Sequence, residues 1–410
     1  MTIERPNSSA RRSRGLMIPP TRGVPVIHAL ETREILGKLV SFASVSEASN
    51  LGMIDWIVDY LAARGFSCHR LPDATGTKAG VFASLPARAD GGVLLSAHTD
   101  VVPVKGQDWA TDPFDLTETD GRLYGRGAAD MKGFLACMLT AADRASRMAL
   151  SHPLKLAISY DEEVGCRGIA EMIGHLDATI GQPRLCIVGE PTSMQLVVGH
   201  KGKTAMRATC RGRAGHSSQA PEFVNALHLA TDFVAAIRML QEEIRVAGPK
   251  DPAYSVPHST LHVGRLHGGV ALNIVPDTAE IELEFRHLAD DPPADMVERL
   301  REAAERISAE ARRIDPESGI DLDVASAYPG LDTPEDSDAI RAVSGHLTSR
   351  AMRKVDFGTE AGFFAASGVP TVVCGPGSIT VAHKPDEFVE RSQLDECDAF
   401  LEHLIMDTLA

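Results

Sequence analysis

Val93-Leu94-Leu95-Ser96-Ala97-His98-Thr99-Asp100 is an apolar, strand-like run that stops at a histidine and an aspartate two positions apart. Residues i and i+2 of an extended chain point to the same side, so His98 and Asp100 share one face at a strand's end. In isolation the pattern reads as an ordinary strand entering a polar loop. It acquires chemical meaning because further acids and a second histidine follow other strand-like runs.

Strand signals recur at 66–71, 80–85, 154–159, 185–188 and 371–374. Between them lie helical periodicities. Ile35, Leu36 and Leu39 form one apolar face and Met53, Ile54, Ile57, Val58 and Leu61 another within 29–64, with Gly65 as a C-cap. Further helices are expected at 131–148 and 167–176. Strands alternating with helices predict an α/β layered domain.

The pattern changes after Pro191. Residues 195–210 read as strand, 225–244 as a long helix, 261–264 and 278–285 as half-buried strands, and 295–312 as helix. This β-α-β-β-α series predicts a small two-layer α+β unit. The expected organisation is an inserted domain at 197–322 within a domain formed by 26–196 and 323–410. Residues 1–25 read as a flexible basic tail, or as an over-long start with Met17 as the true one. Arg11-Arg12 is followed by no apolar stretch, so a signal peptide is not expected.

A length of 410 residues, 44% hydrophobic and 24% charged, is that of a soluble globular protein. The net charge of −15 argues against a nucleic-acid partner. No apolar run approaches the roughly 20 residues of a membrane span, so no membrane partner is expected. Seven scattered cysteines without a CxxC fit free thiols in a reducing cytoplasm.

Four more stretches carry chemistry. Gly125-Arg126-Gly127-Ala128-Ala129-Asp130-Met131-Lys132-Gly133 has the glycines of a phosphate cradle, but neither a Gly-Lys-Ser/Thr ending nor a clear preceding strand. Its alternative reading places Asp130 at a turn into a helix. Ile158-Ser159-Tyr160-Asp161-Glu162-Glu163 and Ile187-Val188-Gly189-Glu190 are strands ending in acids. Thr380-Val381-Ala382-His383-Lys384-Pro385-Asp386-Glu387 follows the 371–374 strand.

The carboxyl ends of strands line the ligand crevice of open α/β sheets. Two imidazoles and three carboxylates, from His98, Asp130, Glu163, Glu190 and His383, suit Zn²⁺, Co²⁺ or Mn²⁺. Five ligands exceed one tetrahedral Zn²⁺. With one bridging carboxylate they suit two ions about 3.5–4 Å apart. Asp100 then orients His98, and Glu162 is free to take a proton from water.

HTD, GRGAADMKG, DEEVG, GEPT and AHKPDEF, in this order and spacing, resemble the aminoacylase, carboxypeptidase-G and acetylornithine-deacetylase superfamily of metallohydrolases. The resemblance covers nearly the whole chain beyond the tail. It implies a dinuclear-metal peptidase-like α/β catalytic domain with an inserted dimerisation or lid domain, and a homodimer. Carried over by motif, the metal ligands are His98, Asp130 (bridging), Glu163, Glu190 and His383. Asp100 accompanies the first histidine and Glu162 is the general base. His216, in Gly212-Arg213-Ala214-Gly215-His216-Ser217-Ser218, matches a histidine that reaches the substrate carbonyl, often across a dimer. On residues alone it is an ordinary loop histidine.

Gly358-Thr359-Glu360-Ala361-Gly362 and Gly375-Pro376-Gly377-Ser378 resemble the acetylornithine-processing branch. Asn273 and Arg286 match positions that hold the substrate's α-carboxylate, a task suited to the planar guanidinium fork. Gly377, Ser378 and Glu360 are further substrate-binding candidates, Glu360 toward a cationic side chain or, equally, in a structural hydrogen bond. The expected activity is hydrolysis of the amide of an N-acyl-L-amino acid, N-acetyl-L-ornithine foremost. The rivals are a desuccinylase, a general aminoacylase, an acetylcitrulline deacetylase, a dipeptidase, a non-catalytic metal- or amino-acid-binding protein, and a nucleotide-binding protein built on the glycine-rich stretch.

Overall fold

The computed structural model describes residues 30–410. The tail expected at 1–25, and residue 29 of the first helical stretch, lie outside it. A nine-stranded sheet forms the larger unit. Its central strands Leu154–Ser159, Val93–His98, Leu185–Val188 and Thr371–Val373 are parallel neighbours in that order. Ala79–Ser84 and Ser67–Pro72 extend one side in antiparallel fashion. Leu196–His200 extends the other and meets Leu331–Asp332 and Met352–Val355.

The central strands are buried throughout. Alternate side chains serve two cores, as expected of a sheet covered on both faces. Leu95, Leu156, Ile158 and Ile187 pack with helices Thr32–Val40, Leu51–Ala62, Lys132–Ala145 and Arg391–Thr408. Leu94, Ala157 and Val188 pack on the opposite face with Arg167–Met172 and Ala361–Ala366. Parallel direction is what matters for the site: four carboxyl ends reach one edge together. A small sheet pairs Phe388–Glu390 with Arg122–Tyr124, bringing the chain after His383 beside the glycine-rich turn.

The second unit is a four-stranded antiparallel sheet, ordered Thr260–Gly268, Thr278–His287, Gly202–Arg211, Gly319–Tyr328. Helices Ala226–Ala247 and Pro293–Ala311 cover one face. Met206, Phe233, Ile237, Ile281, Leu283, Phe285 and Leu300 form a core separate from the other two. Alternation along Thr278–His287 is strict, with Ile281, Leu283 and Phe285 inward and Glu280, Glu282 and Glu284 outward.

The expected limits of 197–322 differ from those of this sheet. The single strand expected at 195–210 breaks at Lys201, and its first half pairs within the large sheet. At the other end, Gly319–Tyr328 runs past 322, paired with Gly202–Arg211 along its length. The helical stretch from 29 to 64 is likewise two helices, separated by a segment that includes Ser44 and Asn50.

Candidate metal centre

The ligand candidates come from the strand ends. His98 is the last residue of its strand, and its side chain is fully buried. Glu163 and Glu190 follow the Leu154–Ser159 and Leu185–Val188 strands within a few residues. Gly189 allows Glu190 its place, because a Cβ there would sit 1.9 Å from the Phe134 ring. Asp130 lies in the turn before the Lys132–Ala145 helix. His383 lies in the loop after Thr371–Val373, with a positive φ of 62°.

These side chains form two triads sharing one residue. Ligand atoms of His98, Asp130 and Glu190 all lie within 4.8 Å of one another, as do those of Asp130, Glu163 and His383. His98 Nε2 is 3.2 Å from Asp130 Oδ1, and His383 Nε2 is 3.2 Å from Asp130 Oδ2. Asp130 thus offers one oxygen to each triad. His383 Nε2 is also 3.1 Å from Glu163 Oε1.

Electrostatics test whether the residues fit metal ions. Burial, with repulsion from Asp130 and Glu162, drives the Glu190 carboxyl well above its ordinary value. Its buried Oε1 has no hydrogen-bond partner. Burial and Asp130 push Glu163 up to about 7. Burial also opposes charge on Asp130, but contacts with His383 and His98 outweigh it and hold that carboxyl low. An unpartnered carboxylate among further acids is a poor arrangement for a packed core. Divalent cations remove the repulsion and supply the missing partner, so the donor set fits two of them.

Glu162 immediately precedes Glu163 and is half-buried. Its carboxyl is pushed well up by burial and by Glu163, Glu360 and Asp130, against the pull of His98. Cys166 donates its thiol proton to Glu162 Oε1 at 3.3 Å. Lys78 forms an ion pair with the adjacent Asp161. Asp100 has a wider role than orienting His98. His98 Nδ1 donates to the Asp100 backbone carbonyl at 3.0 Å, with the Asp100 carboxylate at 3.5 Å. That carboxylate also accepts Glu162 N–H, Glu163 N–H and the Ser46 hydroxyl.

The chain's similarities agree with this geometry. The profile of peptidase family M20/M25/M40 matches residues 94–407. The chain belongs to peptidase family M20/M25/M40. Within that family it is 32% identical over 380 residues to acetylornithine deacetylase of Proteus mirabilis, covering 91% of this chain and 95% of the relative. It is 34% identical over 379 residues to acetylornithine deacetylase of Myxococcus xanthus, covering 90% and 95%. Its fold matches an M20 family metallo-carboxypeptidase from Sulfolobus solfataricus with a TM-score of 0.74 at 19% identity, covering 92% of this chain and 98% of that one. It also matches a dinuclear metal binding M20 peptidase of Bacillus subtilis, with a TM-score of 0.63 at 16% identity and coverage of 92% and 98%. The M20 chain is therefore a metal-dependent hydrolase with a dinuclear-peptidase-like α/β fold.

The remaining expected residues fall in three places. His216 and Asn273 are exposed neighbours on the second unit, where Gly215–His216 pairs with Ile274–Val275 and Ser217 N–H donates to the Asn273 carbonyl. They stand outside both triads. Arg286 lies on the outer face of the Thr278–His287 strand, donating through Nε to Glu284 at 3.1 Å and through Nη1 to the Tyr328 hydroxyl at 3.5 Å. Gly377, with φ of 89°, packs against Ala129 beside Asp130, while Ser378 shares a hydroxyl contact with Thr380.

Of the two readings of Glu360, a contact with a cationic side chain or a structural hydrogen bond, its surroundings favour the second. It is 1% exposed and receives the hydroxyls of Ser159 and Ser96. Burial pushes its carboxyl up to about 7. A side chain enclosed behind the ligand strands and satisfied by two hydroxyls has a structural role, not a free charge for substrate. Conversely, Arg126, Glu387, Gln107 and Cys166 adjoin the centre without being singled out from sequence. Only Arg126 and Glu387 carried a signal, as charged residues inside the motif stretches that also hold Asp130 and His383.

Proposed function

We propose that the chain hydrolyses the amide bond of an N-acyl-L-amino acid, with N-acetyl-L-ornithine as substrate and L-ornithine and acetate as products. The observation that carries the reading is the pair of triads sharing Asp130, with Glu162 beside them. His98, Asp130 and Glu190 would hold one ion and Asp130, Glu163 and His383 the other, Zn²⁺ being the proposed metal. When bound, the ions act as Lewis acids on the acyl carbonyl and lower the pKa of water.

Glu162 takes the proton of the attacking water as its oxygen adds to the acyl carbon. The carbonyl π electrons move onto oxygen, and His216 is the proposed donor to that developing negative charge. As the C–N bond breaks, Glu162 returns the proton to the leaving amine. Arg286 is the proposed partner of the α-carboxylate, since no hydrogen bond occupies its Nη2 in the described structure. Asn273, Gly377 and Ser378 are proposed to border the same substrate.

Exposure of Val270 and Leu272 beside Asn273 and His216 supports a homodimer in which this edge meets a second copy. Seven free cysteines support a cytoplasmic setting, and no helix among the described residues is long and apolar enough to cross a membrane.

The test is amine release from N-acetyl-L-ornithine, N-succinyl-diaminopimelate and N-acetyl-L-methionine, using chelator-stripped protein with Zn²⁺ or Co²⁺ restored. Preference for N-acetyl-L-ornithine is expected. Preference for another substrate would move the specificity and keep the chemistry, and no metal-dependent release from any would overturn the reading.

A further inference from the structure

The two histidine ligands are held very differently. His98 closes a buried strand and its side chain is fully enclosed. His383 sits in a loop, has a left-handed backbone, and leaves 48% of its side chain exposed. Packing therefore fixes the first imidazole and does little for the second. A ligand on a loop needs other anchors if its triad is to keep its geometry.

Those anchors are present. Arg126 Nη1 lies 2.6 Å from Glu387 Oε2, with each side chain 1% exposed. Glu387 Oε1 accepts the backbone N–H groups of Ala129 and Asp130 at 2.9 and 3.0 Å. The Glu387 backbone carbonyl accepts Gly125 N–H at 2.9 Å. The guanidinium also donates to the Lys384 carbonyl at 3.2 Å and to the Gln107 side-chain carbonyl. Gln107 Nε2 in turn donates to the His383 carbonyl at 2.9 Å. One connected network thus grips the backbone at Asp130 and at His383.

We infer that Arg126, Glu387 and Gln107 are positioning residues that set Asp130 and His383 for the ion held between Asp130, Glu163 and His383. The inference rests on the two-ion reading above. The ion pair is internally compensated, so it adds no net charge beside an acid-rich centre. Both Glu387 carboxylate oxygens and both terminal nitrogens of Arg126 are engaged within the network, while the buried Arg126 Nε has no hydrogen-bond partner among the described residues. The cost of desolvating a buried pair offsets most of its attraction, so the weight of this one lies in the backbone groups it holds. The partners behind metal ligands govern affinity in the same way. The His98–Asp130–Glu190 triad keeps two ligands on buried strand ends, so loss of the network should fall mainly on the other ion.

The test is calorimetric titration of chelator-stripped protein with Zn²⁺ alone, for the wild type, Gln107→Ala and Glu387→Gln, alongside visible absorption of the Co²⁺-loaded forms. Gln107 is partly exposed, so Gln107→Ala decides if Glu387→Gln fails to fold. The expected result is two ions in the wild type. In the variants the ion of the Asp130, Glu163 and His383 triad should bind roughly 10- to 100-fold more weakly, the other ion being weakened clearly less, with a changed Co²⁺ spectrum. Unchanged binding of both ions, or equal weakening of both, would overturn the clamp. Fewer than two ions in the wild type would overturn the two-ion reading itself and the clamp with it.

Discussion

The Asp100 carboxylate accepts the backbone N–H of Glu162 at 3.0 Å. Its other oxygen accepts Glu163 N–H at 3.3 Å and the Ser46 hydroxyl at 2.7 Å. One side chain therefore fixes the turn bearing both the proposed base and a proposed ligand, while its own backbone carbonyl accepts from His98 Nδ1. Glu162→Gln keeps this turn and removes the proton acceptor. It should lower kcat by roughly 100- to 10,000-fold with two ions still bound. Near-normal turnover with full metal content would remove Glu162 from its role. Asp100→Ala should reduce both kcat and metal content, because it releases the turn itself.

Cys166 holds the Glu162 carboxylate from behind. A net hydrogen bond of about 0.5–1.5 kcal/mol corresponds to no more than about a tenfold effect. Cys166→Ala should lower kcat within that range and leave KM and metal content unchanged. Cys166→Ser keeps a donor at the same place and should recover part of the loss. If alanine and serine gave identical kinetics, the thiol would be packing alone.

Arg286 is anchored through Nε to Glu284, which Lys203 pairs with at 2.9 Å. The guanidinium is thereby oriented from the sheet side. Arg286→Ala should lower kcat/KM about 10- to 100-fold for a substrate with a free α-carboxylate, the loss expected for a charged hydrogen bond. With the α-carboxylate converted to an amide, wild type and variant should react alike. An equal loss on both substrates would exclude carboxylate recognition.

His200 gives the chain an acid-sensitive element away from the centre. Burial holds its imidazole down at about 4, with His287 nearby, and its buried Nε2 has no partner. In the unfolded chain the ordinary value is about 6.5. Below that pH the unfolded state takes up a proton that the folded state refuses. Stability from this residue is therefore full above about 6.5 and falls as pH drops toward 4, by at most about 3 kcal/mol. Urea melts of metal-free wild type should weaken more between pH 7 and 5 than those of His200→Gln. Equal slopes would show that the imidazole protonates without cost.

The candidate ligands His98, Glu163 and Glu190 stood out in the chain because each lies at or within a few residues of the end of an apolar strand. Apolar strands such as 93–97 and 185–188 end in His98 or shortly before Glu190, and a parallel sheet gathers such ends on one edge. The second unit was legible for the same reason: the alternation of Ile281, Leu283 and Phe285 with glutamates reports a sheet with one covered face. Its limits were not, because the break at Lys201 assigns two continuous-looking strand halves to different sheets through their pairing partners.

Residue types and local periodicity, set by backbone geometry and the burial of apolar side chains, determined the layered fold and the acids and histidines at its strand ends. Only the tertiary structure decided that Glu360 is enclosed by Ser159 and Ser96, that Cys166 meets Glu162, and that Arg126 pairs with Glu387 from 261 positions away. Those roles depend on which charge finds which partner when both leave water. No local pattern records that choice, because it is made across the packed interior.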